Sequence, residues 1–177
     1  MIEKRGSIGI IWIDNPPVNA ISHAVREGLI KAVENASKDS EIKGLVLACR
    51  GRTFMAGADI TEFASGVKPP WLGEVIDTMS ESSKVIVAAI FGTTFGGGLE
   101  VALGCNYRIA DSNTKIGLPE VKLGIIPGAQ GTQRLSRVSS VEFALKLATL
   151  GNPVGAQEAL EALSLIHISE PTRLHCI

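Results

Sequence analysis

The longest unbroken apolar run in the chain is Val85-Ile86-Val87-Ala88-Ala89-Ile90-Phe91. Its β-branched residues and lack of helical spacing predict a buried strand. Ile8 to Asp14 reads the same way and is stopped by Asn15-Pro16-Pro17. Leu45 to Ala48 is a third short strand of the buried type. Between the first two strands the apolar period changes. Val25, Leu29, Val33 and Ala36 fall on one helical face behind Ser22, an N-cap residue, which predicts a helix to about Ser37. Leu72 to Ser83 is helical on the same argument, with Val75, Ile76 and Met79 on its apolar side. Cys49 to Asp59 reads as a loop, Asp59 to Ala64 as a short helix and Ser65 to Pro70 as a mobile surface loop. Tyr107 to Ala110 and Lys115 to Gly117 are short strands. Ser139-x-x-Glu142 has the form of a capping box opening a helix to Leu150, and Gly155 starts another helical stretch. Alternating short strands and helices favour an α/β architecture of layered short sheets.

Composition narrows the class. The 177 residues, 45% hydrophobic and 20% charged, suit one globular domain, and a chain near this size buries roughly 68–70% of its unfolded surface. A net charge of −1 with no basic run gives no electrostatic case for nucleic acid. Cys49, Cys105 and Cys176 lack metal-ligand spacing and cannot pair completely, which fits a reduced cytosol. The N-terminus has no apolar segment of the secretory type. The Val85 run is far shorter than the about 20 residues that span a bilayer, so no membrane span is expected. The sequon Asn35-Ala36-Ser37 is read as chance.

Candidate chemistry gathers at three turns. Gly96-Gly97-Gly98 follows the Val85 strand and leads into a helix to about Cys105, with Glu100 in its first turn. Gly117-Leu118-Pro119-Glu120 brings a second carboxylate to a similar position. Ala56-Gly57-Ala58-Asp59 offers further backbone N–H groups. Unpaired amides at a helix N-terminus suit a developing oxyanion, and paired carboxyls can divide acid and base roles when burial or mutual charge keeps one protonated. Each part also has a plain structural explanation. The glycines suit a tight turn, both glutamates complement a helix dipole, and Asp59 can cap the short helix after it. His23 reads as a solvated helix-start residue, and Arg50, Arg52 and Lys68 as solvated charges. No Ser/His/Asp arrangement, Gly-x-Ser-x-Gly, Walker loop or metal-ligand cluster is present in the sequence.

The combination resembles the enoyl-CoA hydratase/isomerase (crotonase) family. Phe54-Met55-Ala56-Gly57-Ala58-Asp59-Ile60 is similar to its first signature. Gly96-Gly97-Gly98-Leu99-Glu100-Val101-Ala102-Leu103-Gly104-Cys105 is similar to its second. Gly117 through Gly128, continued by Gly131-Thr132-Gln133-Arg134-Leu135, is similar to its third. The resemblance runs from about residue 5 to 162. It implies a spiral of ββα units that binds an acyl-CoA thioester, with no bound cofactor because coenzyme A is part of the substrate. By position it implies that the backbone N–H groups of Ala56 and Gly97 form the oxyanion hole. It further implies substrate contacts at Ala56, Gly57, Ala58, Asp59, Gly96, Gly98, Pro127 and Gly128. Glu100 is implied to activate a water for the β-carbon, and Glu120 to deliver a proton to the α-carbon. The implied product is a 3-hydroxyacyl-CoA of fatty-acid β-oxidation. Δ3-Δ2 isomerisation and a non-catalytic acyl-CoA-binding fragment are the other readings.

Asn15-Pro16-Pro17-Val18-Asn19-Ala20-Ile21-Ser22 sharpens the resemblance to the N-terminal hydratase half of bifunctional enoyl-CoA hydratase/3-hydroxyacyl-CoA dehydrogenases. No Gly-x-Gly-x-x-Gly follows a strand, so NAD belongs with a dehydrogenase half absent from this sequence. An oligomer or a fused dehydrogenase domain is expected in the parent protein. The expected compartment is the cytoplasm for a bacterial-type source, and the peroxisome or mitochondrion for a eukaryotic one. The family pattern fails near Leu163. Residues 1–163 read as a hydratase domain lacking its C-terminal helices, whereas 164–177 resemble translated adapter or vector sequence and are expected to be foreign. Phe91 and Phe95 also depart from the pattern, and Phe95 is expected to narrow the acyl channel.

Overall fold

The computed structural model describes residues 2–62, 66–162 and 164–169. Its strands are β1 (Ile2–Arg5), β2 (Ile8–Ile13), β3 (Gly44–Cys49), β4 (Val85–Ile90), β5 (Thr93–Phe95), β6 (Tyr107–Asp111), β7 (Lys115–Gly117), β8 (Val154–Gly155) and β9 (His167–Ser169). Its helices are α1 (His23–Lys38), α2 (Leu72–Ser80), α3 (Gly97–Gly104), α4 (Gly131–Val138), α5 (Val141–Leu150) and α6 (Ala156–Glu161), with a 3₁₀ turn over Pro119–Leu123. The main sheet runs β1-β2-β3-β4-β6-β9, and a smaller one runs β5-β7-β8. In the main sheet β1 is antiparallel to β2 and every other pairing is parallel. Parallel strands are covered on both faces, which is why β3 and β4 read as nearly continuous apolar runs.

Leu29, Val33 and Ala36 of α1 and Val75, Ile76 and Met79 of α2 are buried as their spacing predicts. Arg26 is buried with them, although no apolar periodicity marks it. Helix α3 is different in kind, because all of its residues from Gly97 to Gly104 are buried. A helix with no wet face belongs inside the core. Its entry is made by contact at Gly98, where an added Cβ would lie 2.0 Å from the Met55 carbonyl oxygen. That oxygen also accepts from Phe95 N–H at 3.1 Å. The loop before the first acidic turn and the start of α3 are therefore in backbone-to-backbone contact.

Several boundaries differ from expectation. The cap of α5 is Ser140, whose side chain accepts from Phe143 N–H; Ser139 instead donates to the Leu135 carbonyl at 2.7 Å. The short strands β1, β5 and β8, and helix α4, were not indicated by periodicity. Thr61 and Glu62 are helical, Ile60 is a turn residue, and Asp59 caps the helical pair by accepting from Thr61 N–H at 3.0 Å, while Phe63 and Ala64 of the expected helix, and Ser65, lie outside the described residues. Leu163 also lies outside them. Ser164 and Leu165 are buried, Arg108 Nε donates to the Ser164 carbonyl at 2.8 Å, and β9 pairs with β6. Among the described residues no helix is long and apolar enough to cross a membrane.

Gly98→Ala should destabilise the domain, since the methyl group would meet backbone rather than a movable side chain. A cost of about 3 kcal/mol, an ordinary overpacking penalty, lowers Tm by roughly 6–12 °C in a chain of this size. Thermal unfolding of the variant measures it, and an unchanged Tm would contradict the packing described.

Candidate active site

Two backbone amides converge where the Met55–Asp59 segment meets the first turn of α3. The segment lies along Val18–Ile21. Ala56 N–H donates to the Val18 carbonyl at 3.2 Å, Ile21 N–H to Gly57 at 2.9 Å, and Asp59 N–H to Ile21 at 3.3 Å. Ala58 is the bridge partner of Ile21, so its own N–H points away from that strand. Gly57, at φ +126°, makes the reversal. L-residues rarely adopt such a φ, so glycine is required here. Ala58 N–H has no protein acceptor among the described residues, and neither does Gly97 N–H, an orphan donor of the helix start. An added Cβ on Gly97 would lie 3.4 Å from Ala58 N. The sequence expectation is corrected accordingly. The Ala56 amide is occupied by Val18, and the free pair is Ala58 and Gly97.

Glu100 and Glu120 face the same cavity. Glu100 is buried, and its Oε1 accepts from Ala129 N–H and Gly131 N–H, both at 2.8 Å. The residue between them, Gln130, sits at φ +73°, which turns the flanking amides toward one anion in a small backbone nest. Burial raises the Glu100 pKa, and the two N–H donors oppose that rise. Glu120 enters on the 3₁₀ turn. Burial raises its pKa, the Glu100 charge adds to the rise, and the Glu120 backbone amide opposes it. Its Oε2 is buried without a hydrogen-bond partner among the described residues. One carboxyl is thus held by donors, and the other is left to a ligand or a proton.

The cavity encloses about 680 Å³. Of the expected site residues, Ala56, Gly57, Ala58, Asp59, Gly96, Gly97, Glu100, Glu120 and Gly128 line it. Gly98 and Pro127 do not: Gly98 packs on Met55, and Pro127 is buried nearby. Phe95 is also absent from the lining; its ring packs beside Gly117, so it does not narrow the channel. Ile60, Val67, Trp71, Leu72, Leu123, Ile125 and Ile126 give the cavity an apolar lining, drawn from the 60–72 and 123–126 segments. Ala129 and Gly131, which hold Glu100, were not singled out from sequence; the signal available was Gly131, directly after Gln130 in the third motif. Among the described residues no cluster of three or more His, Cys, Asp or Glu could hold a metal ion.

Comparison with known proteins gives the same outline. Residues 3–164 match the model of the Enoyl-CoA hydratase/isomerase family. The chain is 44% identical to the Danio rerio peroxisomal bifunctional enzyme over 94% of its own length, but spans only 23% of that protein. It is 35% identical to the short-chain-enoyl-CoA hydratase of Clostridium acetobutylicum over 98% of this chain and 70% of that one. The crystal structure of an enoyl-CoA hydratase from Bacillus anthracis superposes with a TM-score of 0.92 at 29% identity, covering 99% of this chain and 71% of the other. The architecture is the crotonase-like one that the motifs imply.

Glu120→Gln should raise stability at neutral pH. A carboxyl whose folded pKa lies above its unfolded value binds its proton more tightly when folded. Its cost to stability is absent below the unfolded pKa of about 4.3 and grows as pH rises toward the folded value. The amide removes that cost, which is on the order of 1 kcal/mol, or roughly 2–4 °C in Tm at pH 7. The advantage should vanish below about pH 4. Thermal unfolding of both proteins across pH checks it, and a variant less stable than wild type at pH 7 would refute it.

Proposed function

The chain belongs to the enoyl-CoA hydratase/isomerase family, and from that premise we propose that its site hydrates 2-enoyl-CoA to 3-hydroxyacyl-CoA. The observation that carries the reading is the pair of free amides, Ala58 and Gly97, beside two buried carboxyls of unequal hydrogen bonding. The thioester oxygen accepts from both N–H groups. Gly97 adds the positive end of the α3 dipole, so charge moving onto that oxygen is stabilised. The polarised double bond becomes electrophilic at its β-carbon.

Water held between the carboxyls completes the step. Glu100, its Oε1 oriented by the Ala129 and Gly131 amides, acts in its ionised form and takes a proton from water as the oxygen bonds to the β-carbon. The π electrons shift toward the thioester oxygen. Glu120, whose raised pKa suits a proton carrier, protonates the α-carbon as the enolate collapses. The two acids end in exchanged protonation states, which water between them restores. The apolar lining of Ile60, Val67, Trp71, Leu72, Leu123, Ile125 and Ile126 suits the acyl chain. No cofactor is needed for this chemistry.

Names among the relatives support a place in fatty-acid β-oxidation, including the glyoxysomal multifunctional protein of Cucumis sativus. In a parent protein of the bifunctional type, a dehydrogenase half carrying NAD would oxidise the 3-hydroxyacyl product. The compartment follows the source, being the cytoplasm for a bacterial protein and the peroxisome for one like the Danio rerio relative.

Glu100→Gln and Glu120→Gln should each lower kcat for 2-enoyl-CoA hydration by about 10²-fold or more, as loss of a positioned acid or base does. Acyl-CoA binding should be retained. Loss of the double-bond absorbance follows turnover, and an unchanged kcat in either variant would overturn its role. A 3-enoyl-CoA substrate in the same assay separates isomerisation from hydration.

A further inference from the structure

Arg26 lines the cavity together with its partner Glu62, has no part in the proposed proton transfers, and is one of the few charged residues buried among the described residues, at 3% exposure. Its guanidinium ties together three segments that converge beside the cavity. Nη1 pairs with Glu62 Oε2 at 2.9 Å and reaches the Ile21 carbonyl at 3.3 Å. Nε donates to the Pro70 carbonyl at 2.7 Å, and Nη2 to the Lys68 carbonyl at 3.0 Å. Glu62 in turn accepts from His23 N–H, and His23 Nε2 lies 2.8 Å from the Pro69 carbonyl. Ile21 is the bridge partner that orients Ala58. Val67 and Trp71, on either side of the clamped carbonyls, belong to the apolar lining of the cavity wall. Residues 66–70 have no regular structure to hold them, so side-chain bonds to their carbonyls set the wall's position.

We propose that Arg26 is a positioning residue for acyl-chain recognition: its planar fork fixes the 67–71 wall to α1 and to the Ala58 strand, so that binding of a long acyl chain depends on it. The proposal rests on the reading of the cavity as an acyl-CoA site. The fork geometry matters more than the charge, because three of the four acceptors are carbonyls in fixed directions. Without it a long chain must order the wall as it binds, whereas a short chain, held mainly at the thioester, need not.

The test compares wild type, Arg26→Met and Arg26→Lys in binding saturated butanoyl-CoA and decanoyl-CoA, which cannot react. Hydrogen exchange of residues 66–71 and 85–90 is followed in the same samples. Both variants should lose about tenfold or more in decanoyl-CoA affinity, the scale of one or two methylene contacts. Butanoyl-CoA affinity should stay within about threefold. Exchange should rise at 66–71 and not at 85–90. Equal losses for both ligands, a faster-exchanging Val85–Ile90 strand, or a wild-type-like Arg26→Lys would each overturn the proposal. A wild-type protein that binds neither thioester would instead overturn the acyl-CoA reading and the proposal with it, so the two failures are distinguishable.

Discussion

The contact between the start of α3 and the Met55 carbonyl is the constraint on which the site depends. A side chain at Gly98 would meet that oxygen at 2.0 Å, so only glycine lets the helix in. Once it is in, Gly97 N–H comes beside Ala58 N–H; Gly97 belongs to a fully buried helix, and half-buried Ala58 is held by its bridge to Ile21. Donors fixed in this way need no reorganisation when negative charge develops, which is the main advantage of a preorganised oxyanion site. On the proposed reading, the glycines of the α3 turn serve packing and chemistry together, because one geometry answers both.

The carboxyls divide along a different line. Burial disfavours the ionised form of both, and each also has a donor that opposes the shift. For Glu100 the opposing donors are two amides, turned toward it by a residue in the left-handed region. Glu120 keeps a buried oxygen with no partner. Native structures leave few such groups, and a stability-driven choice would put an amide or an apolar residue there. An unsatisfied acid facing the cavity is better explained by what binds in it, the usual exchange of stability for activity.

Much of this was legible in the sequence, for identifiable reasons. Strands β2, β3 and β4 announce themselves because parallel strands are apolar on both faces. Helices α1 and α2 do so because their buried faces recur with helical period. The two glutamates are visible through their combination, since each alone reads as a first-turn acid complementing a helix dipole. What stayed hidden has no side-chain signature. The Ala129 and Gly131 amides are backbone groups, and Gln130 is not a residue that advertises a positive φ. Arg26 lies among the apolar positions of α1, but two of its partners are carbonyls some forty residues away. The cap of α5 slipped by one residue because Ser139 and Ser140 are equivalent in sequence; the hydrogen bonds from and to their hydroxyls distinguish them.

The reassignment from Ala56 to Ala58 follows from strand parity. In an extended segment residues two apart point their amides the same way, so Ala56 and Ala58 should both have faced Val18–Ile21. They do not, because Gly57 adopts φ +126° and reverses the alternation between them. The Ala56 amide is then taken up by Val18, although both alanines line the cavity, and only the Ala58 amide is left free. The signal was present in the sequence: a glycine flanked by two alanines in an otherwise extended stretch marks a change of direction, and the residue after it emerges on the new side. The same turn lets Asp59 N–H return to Ile21 and secures the far side of Ala58. The free amide is therefore bracketed by two backbone hydrogen bonds to one residue, and its direction is set by the handedness of a single glycine.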